Sequence, residues 1–519
     1  MPPVRPARYA RAVRYVDVAQ TSAAVAAARG RKAKVAALAA LLGAAAPDER
    51  AIVARHLAGD CGHKLGVGYA LVSELAAVAP ADAATLTVGE VDARLAALAA
   101  VAGAGAKQAR RDAVAALFAA ATAPEAAFLR ALLVGEVRQG ALAALVVEAT
   151  ALAGAVPLTT VRTAYMLAGE LGAVVAAALA GGAAALAGFT LTLFRPVLPM
   201  LAQTADDPAA ALAALGGRAA FDHKLDGFRV QVHKDGALVR AYSRLGNDVT
   251  ASVPEVIAAI AALPAQRLIV DGEALGHDDD GRPLPFQDTM RRKAVDGGPL
   301  AVALFDLLRI DDEVLLDAPA IERWARLDAI AGPLVVPRLV TDDATAAARF
   351  YADALAAGHE GVVAKALDAP YAAGTRGAAW LKIKKVRRLD LVVLAAEWGS
   401  GRRKGWLSNL HLGARDGAGW AMLGKTFKGL TDQTLRWQTE ALLAREVTRA
   451  GHVVHVRPEL VVEVEFNDVQ RSSRYPGGLA LRHARVVRYR DDKRAAEADP
   501  IAAVWAIARA DGVVALAED

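Results

Sequence analysis

The run Phe194-Arg195-Pro196-Val197-Leu198-Pro199 constrains this chain more than any other feature. Each proline biases the residue before it toward an extended backbone, so no helix crosses the run. Everything before it, from residue 1 to about 190, reads as helix: Ala/Leu-rich, poor in β-branched alternation, and broken at Gly and Pro. Asp92–Ala102 and Glu125–Leu133 carry apolar residues three and four apart, the spacing of a helix with one buried face. At 519 residues the chain is too long for one core. The proline run therefore marks a first domain boundary.

Beyond it the texture changes. Phe228–His233 alternates apolar and polar residues, Lys234-Asp235-Gly236 supplies a turn, and Leu238–Tyr242 returns as the second arm of a hairpin. Arg267–Val270, Leu300–Phe305, Gly361–Lys365 and Trp380–Lys384 are further strands, which makes the region to about 390 α+β. After Leu389-Asp390, short strands at Leu391–Ala395, Leu410–Leu412, Trp420–Leu423, Leu460–Phe466 and Ala484–Tyr489 surround one helix near Thr431–Arg445. That pattern suggests a small barrel of the OB type.

Composition removes several classes. One cysteine, Cys61, excludes a disulfide framework and a four-cysteine zinc site made by this chain, and it suits a reducing cytoplasm. Arg5, Arg8, Arg11 and Arg14 precede no apolar run, so a signal peptide is not expected. The stretch between Glu170 and Arg195 holds no charge and is long enough to span a membrane. It is mostly Ala and Gly, however, and Gly181-Gly182 interrupts it; two short core helices and a linker are expected, with no membrane partner. A net charge of +5 permits an anionic partner without demanding one.

The chemistry concentrates in the middle region. Lys224, in Lys224-Leu225-Asp226-Gly227, ends a strand beside a turn. A lysine amine forms a covalent intermediate only when deprotonated, which burial or neighbouring cations favour; a surface lysine before a turn is the plain alternative. In Trp380-Leu381-Lys382-Ile383-Lys384, strand alternation puts Lys382 and Lys384 on one face. Two like charges there suit a polyphosphate, or else a solvated edge strand. Asp271-Gly272-Glu273 follows one apolar strand and Glu360-Gly361 precedes another. Carboxylates so placed are suited to Mg²⁺, which needs only one or two from the protein, or are ordinary turn residues. Phe305-Asp306 closes a third strand, where an aromatic ring either stacks on a base or joins the core.

Together with Ser243-Arg244, these motifs stand in the order of the covalent nucleotidyltransferases, and the whole chain resembles the three-domain ATP-dependent DNA ligases of bacteria such as actinobacteria. The resemblance extends to Gly66-Val67-Gly68-Tyr69 and Leu133–Gly140 in the helical third, to Arg195–Ala202, and to Arg490-Asp491-Asp492-Lys493 with Arg482 and Arg485 upstream. It implies an all-helical DNA-binding domain over 1–190, a central α+β nucleotidyltransferase (ATP-grasp-like) domain over 191–390, and an OB-fold β-barrel over 391–519. Lys224 is then the residue that attacks the ATP α-phosphate and carries AMP. Asp222 and Arg229 contact adenine and ribose, and Glu273 the ribose or metal. Phe305 stacks on adenine, Glu360 helps hold Mg²⁺ or another divalent cation, and Arg376, Lys382 and Lys384 grip phosphates with Lys365 nearby. Arg244 faces the ribose or the nick. Asp222 departs from the Glu of many relatives, which shortens its reach.

The partner so implied is nicked double-stranded DNA, bound by a monomer in the cytoplasm, associated with the nucleoid while acting. The basic turn Gly399–Gly405 and the run Arg29–Lys34 are suited to phosphate contacts or to plain solvation. An RNA ligase or guanylyltransferase using the same lysine is the nearest rival, and a catalytically silent DNA-binding protein is a rival of another class. An NAD-dependent ligase is disfavoured, because that group resembles a protein with a four-cysteine zinc module.

Overall fold

The computed structural model describes residues 13–137, 139, 142–278, 281–284, 289, 299–372, 379–400, 403–510 and 513. Among them, helices follow one another from Tyr15–Ala27 to Leu171–Leu186. Thr87 and Glu90 form a capping box, each side chain satisfying the other residue's backbone N–H, and at the start of another helix Glu125 accepts from the Thr122 N–H and hydroxyl. Their apolar faces, including Val18, Leu42, Leu95 and Leu129, meet in one core. The long uncharged stretch is helical over Leu171–Leu186 and broken at Gly182, whose φ is 59°. No helix among the described residues is long and apolar enough to cross a membrane.

The proline run is not helical: Phe194, at φ 63°, and Arg195 close a turn on Thr192, and the chain from Pro196 onward is extended and packed rather than loose. Val197 and Met200 are buried with Met166, Ile269, Leu308, Tyr371 and Trp380, so the run joins helices to sheets through a shared apolar cluster.

Two five-stranded sheets follow among the described residues. In the first, the order is Gln203–Thr204, Trp380–Lys384, Gly361–Lys365, Ala219–Lys224, Arg338–Thr341. In the second it is Leu238–Ser243, Phe228–Asp235, Arg267–Gly276, Leu300–Ile310, Glu313–Val314. The hairpin is present, but Asp235 pairs with Leu238 and the turn narrows to Gly236-Ala237. Two strands run further than the sequence suggested, so Asp271, Glu273 and Phe305 lie inside strands and not at their ends. Gly272 is no turn residue: a Cβ there would meet the Ala303 carbonyl at 2.9 Å, so glycine permits close strand packing.

The C-terminal region is a curled seven-stranded sheet with a separate hairpin, Asp468–Arg471 and Leu479–Arg482. It is a half-barrel. The helix Asp432–Leu443 buries Leu435 and Leu442 against it.

Candidate active site

The two sheets face each other across a cavity of about 1250 Å³, and residues of the C-terminal region close one side. Asp222, Lys224, Glu360, Lys365, Trp380, Lys382 and Lys384 enter it from the first sheet. Arg229, Arg244, Glu273 and Phe305 enter from the second, and Arg482 and His483 from the C-terminal hairpin and its exit. The structure thus gathers every site residue proposed from the sequence except Arg376, which lies outside the described residues.

Strand register explains the gathering. Lys224 pairs across the ladder with Gly361, and Lys384 pairs with Gly361 from the other side. Glu360, one residue earlier, therefore meets both ammonium groups. Lys224 Nζ forms an ion pair with Glu360 Oε2, and Lys384 Nζ lies 2.9 Å from the same oxygen. Burial would raise the Glu360 pKa, but Lys224 and Lys384 outweigh it and hold the carboxyl down to about 2. Two glycines permit this crowding. A Cβ on Gly361, at φ 140°, would lie 2.1 Å from the Ile383 carbonyl oxygen, and one on Gly227 would lie 2.1 Å from that of Ala274.

Arg229 is tied down. It donates to both oxygens of Asp271, at 2.9 and 2.5 Å, and to the Met200 carbonyl at 2.5 Å. Tyr371 donates to the same Asp271 at 2.7 Å. Phe305 meets the edge of Trp380 at 5.9 Å, with the Arg229 guanidinium 5.3 Å and Lys365 Nζ 4.8 Å from its ring centre. Arg244 is exposed just beyond the strand Leu238–Ser243.

Glu273 behaves unlike Glu360. Burial raises its pKa to about 7 against the pull of Lys224 and Arg229. The folded chain therefore holds this proton more tightly than the unfolded chain between pH 4.5 and about 7. Stability from this group falls as pH rises through that window. In thermal melts, the midpoint of the parent chain is expected to drop relative to Glu273→Gln over the same range; parallel curves would exclude a raised pKa.

Three contacts were not legible in the sequence. Arg338 pairs with Asp222 at 2.6 Å; its only signal was a lone charge inside the apolar run Leu334–Val340. Tyr371 had none. Arg482 stands beside a motif, but its reach to Asp226, at 3.2 Å and 256 residues away, has no local signal. Arg490 and Lys493 bind Asp390, at 2.8 and 2.6 Å, and are not among the residues lining the cavity. In the basic turn, Arg403 donates to the Phe427 carbonyl at 2.5 Å, and residues 401 and 402 lie outside the described set. Arg31 and Lys34 have partners within the chain, Glu148 and the Gln139 carbonyl. Of the segment Leu133–Gly140, residues 138 and 140 lie outside the described set.

Three segments match models of known families: residues 69–151 the "DNA ligase N terminus", 199–384 the "ATP dependent DNA ligase domain", and 403–493 the "ATP dependent DNA ligase C terminal region". A probable DNA ligase of Anaeromyxobacter sp. (strain Fw109-5) is 56% identical over 480 residues, covering 90% of this chain and 92% of the relative. One from Beutenbergia cavernae is 54% identical over 484 residues, covering 90% and 94%. The solved structure described as Pmar-Lig_PreS3 shares the fold, with a TM-score of 0.60 at 18% identity over 91% of this chain and 99% of that one. With these matches running from the helical third to the curled sheet, the chain belongs to the ATP-dependent DNA ligase family.

Proposed function

We propose that Lys224 is the nucleophile through which this ligase seals nicks in duplex DNA. Its amine attacks the α-phosphorus of ATP, pyrophosphate leaves, and AMP stays on Nζ through a P–N bond. The 5′-phosphate at the nick then takes the AMP, and the adjacent 3′-hydroxyl displaces it to form the phosphodiester. The carrying observation is Lys224 at the cavity wall, beside a carboxylate it shares with Lys384. Phosphoryl transfer asks the protein for positioning and charge neutralisation, and Lys382 and Lys384 project into the cavity to supply both.

Phe305 and Trp380 offer the apolar surface that a base needs, with Asp222 and Arg229 beside them. Arg244, at the exposed rim, faces the ribose or the nick in this reading, and Arg376 contacts phosphate. Glu273 and Glu360 present the hard oxygen ligands that Mg²⁺ prefers, and two carboxylates suffice for an ion that keeps several waters. When bound, such a cation neutralises phosphate charge as pyrophosphate departs. The same reading divides the chain at about residues 190 and 390, assigns the helical third to backbone contacts with DNA, and has the enzyme act as a monomer in the cytoplasm.

Incubation with α-labelled ATP should label the protein, and nicked duplex DNA should then chase the label into AMP. Capture of GMP without AMP would favour a guanylyltransferase, and no labelled protein a silent DNA-binding scaffold. Lys382→Ala is expected to raise the KM for ATP about tenfold or more, the loss of one charge-assisted phosphate contact. Undiminished adenylation by that variant would remove Lys382 from the phosphate site.

A further inference from the structure

Asp222 lies on an inner strand of its sheet, between Gly361–Lys365 and the edge strand Arg338–Thr341, with a cation from either side. Arg338 is its direct cross-strand partner on one neighbour, and Lys365 comes from the other. Arg338 engages both carboxylate oxygens, Nε to Oδ1 at 2.6 Å and Nη2 to Oδ2 at 2.9 Å. Lys365 Nζ lies 2.6 Å from Oδ2. Arg338 is itself fixed, stacked 4.2 Å from the Trp324 ring centre and donating to the Phe305 carbonyl at 3.1 Å.

A carboxylate offers about four lone-pair sites, and these contacts occupy all but one, on Oδ1. Burial alone would push the Asp222 carboxyl up, but Lys365 and Arg338 outweigh it and hold it below the usual carboxylate range. The group is therefore an acceptor and not a donor. It lines the cavity on the same strand face as Lys224, two residues away, a separation of about 7 Å. With the α-phosphate at Lys224, a base lying toward Phe305 and Trp380 comes within reach of Asp222.

We infer that Arg338 is a positioning residue that sets base specificity, by leaving Asp222 one free acceptor site at the base end of the nucleotide pocket. A single acceptor suits one N–H of a 6-amino purine. Guanine turns an oxygen acceptor toward the same place, and its N1–H and N2–H together ask for both carboxylate oxygens. Oδ2, held by Arg338 and Lys365, has no site left to give. A buried polar mismatch of this kind discriminates strongly. The inference rests on the reading of the cavity as the nucleotide site of Lys224.

The test is initial adenylation and guanylylation rates for the full chain and its Arg338→Met and Arg338→Lys variants, with α-labelled ATP and GTP. For Arg338→Met, the KM for ATP should rise more than kcat falls, and the preference for ATP over GTP should shrink at least about tenfold. Arg338→Lys keeps the charge but cannot grip both oxygens, and should fall between. A purely structural role would lower both nucleotides together, and an unchanged preference overturns the inference. If Arg338→Met fails to fold, as judged by its melt, the preference measured for Arg338→Lys decides alone. Failure of the parent chain to take up AMP would instead defeat the nucleotide-site reading beneath it.

Discussion

Lys224→Ala is expected to abolish capture of AMP by the protein, with rates falling on the order of 10⁴-fold or more, because a positioned nucleophile has no substitute in solution. Lys224→Arg sharpens the result. It keeps a cation beside Glu360 and so preserves the local charge balance, but a guanidinium does not give up its proton to become a nucleophile. Both variants should lose protein-bound AMP while binding nicked DNA nearly as the parent does. If label persisted on Lys224→Arg, another residue would be accepting AMP, and the peptide carrying it could be found by digestion.

The second large effect concerns stability. Arg323 and Asp306 form an ion pair in which neither side chain reaches solvent. Arg323 donates to both Asp306 oxygens, at 2.8 and 3.0 Å, and to the carbonyls of Ala318 and Ala369 at 2.7 and 3.0 Å. Truncation to Arg323→Ala strands a buried carboxylate, and a loss of about 3–5 kcal/mol is expected. Replacing both partners, Arg323→Met with Asp306→Leu, should recover much of that loss, since an apolar pair of similar volume avoids the desolvation cost. Denaturant titration of the single and double variants decides it. A double variant no more stable than the single one would mean that the carbonyl contacts matter more than the charge pair. Asp306 follows Phe305 directly, so Arg323→Ala should also weaken nucleotide capture.

Local features of the sequence carried much of this site. Alternation in Trp380–Lys384 assigned both lysines to one face, and the structure buries Leu381 and Ile383 while leaving Lys382 and Lys384 half-buried. The turn beside Lys224 and the extended stretch from Pro196 were legible because Gly and Pro act on the backbone locally. The same reliance misled at Gly272, where glycine serves strand packing and the carboxylates beside it sit mid-strand. It also hid Glu446–Ala450, a strand that follows directly on a helix with no breaker between them. Arg338, Tyr371 and the Arg482–Asp226 contact were beyond such reading. Each depends on which distant strands become neighbours, and register is set by burial across the whole sheet rather than by any short window.

Gly227 and Gly361 bear on how this pocket can vary over time. At both positions main chain runs against main chain closer than any side chain allows, and these crossings flank Lys224 and Glu360. The spacing of the paired Glu360 carboxylate and Lys224 amine is thus held by peptide units, whose dimensions do not change with sequence. Neighbouring walls can trade residues of similar bulk and let the shape of the pocket drift, as cores commonly do. The two crossings have no such latitude. A library randomised over the cavity lining and Gly361 should therefore return varied aromatic and aliphatic walls around two invariant glycines.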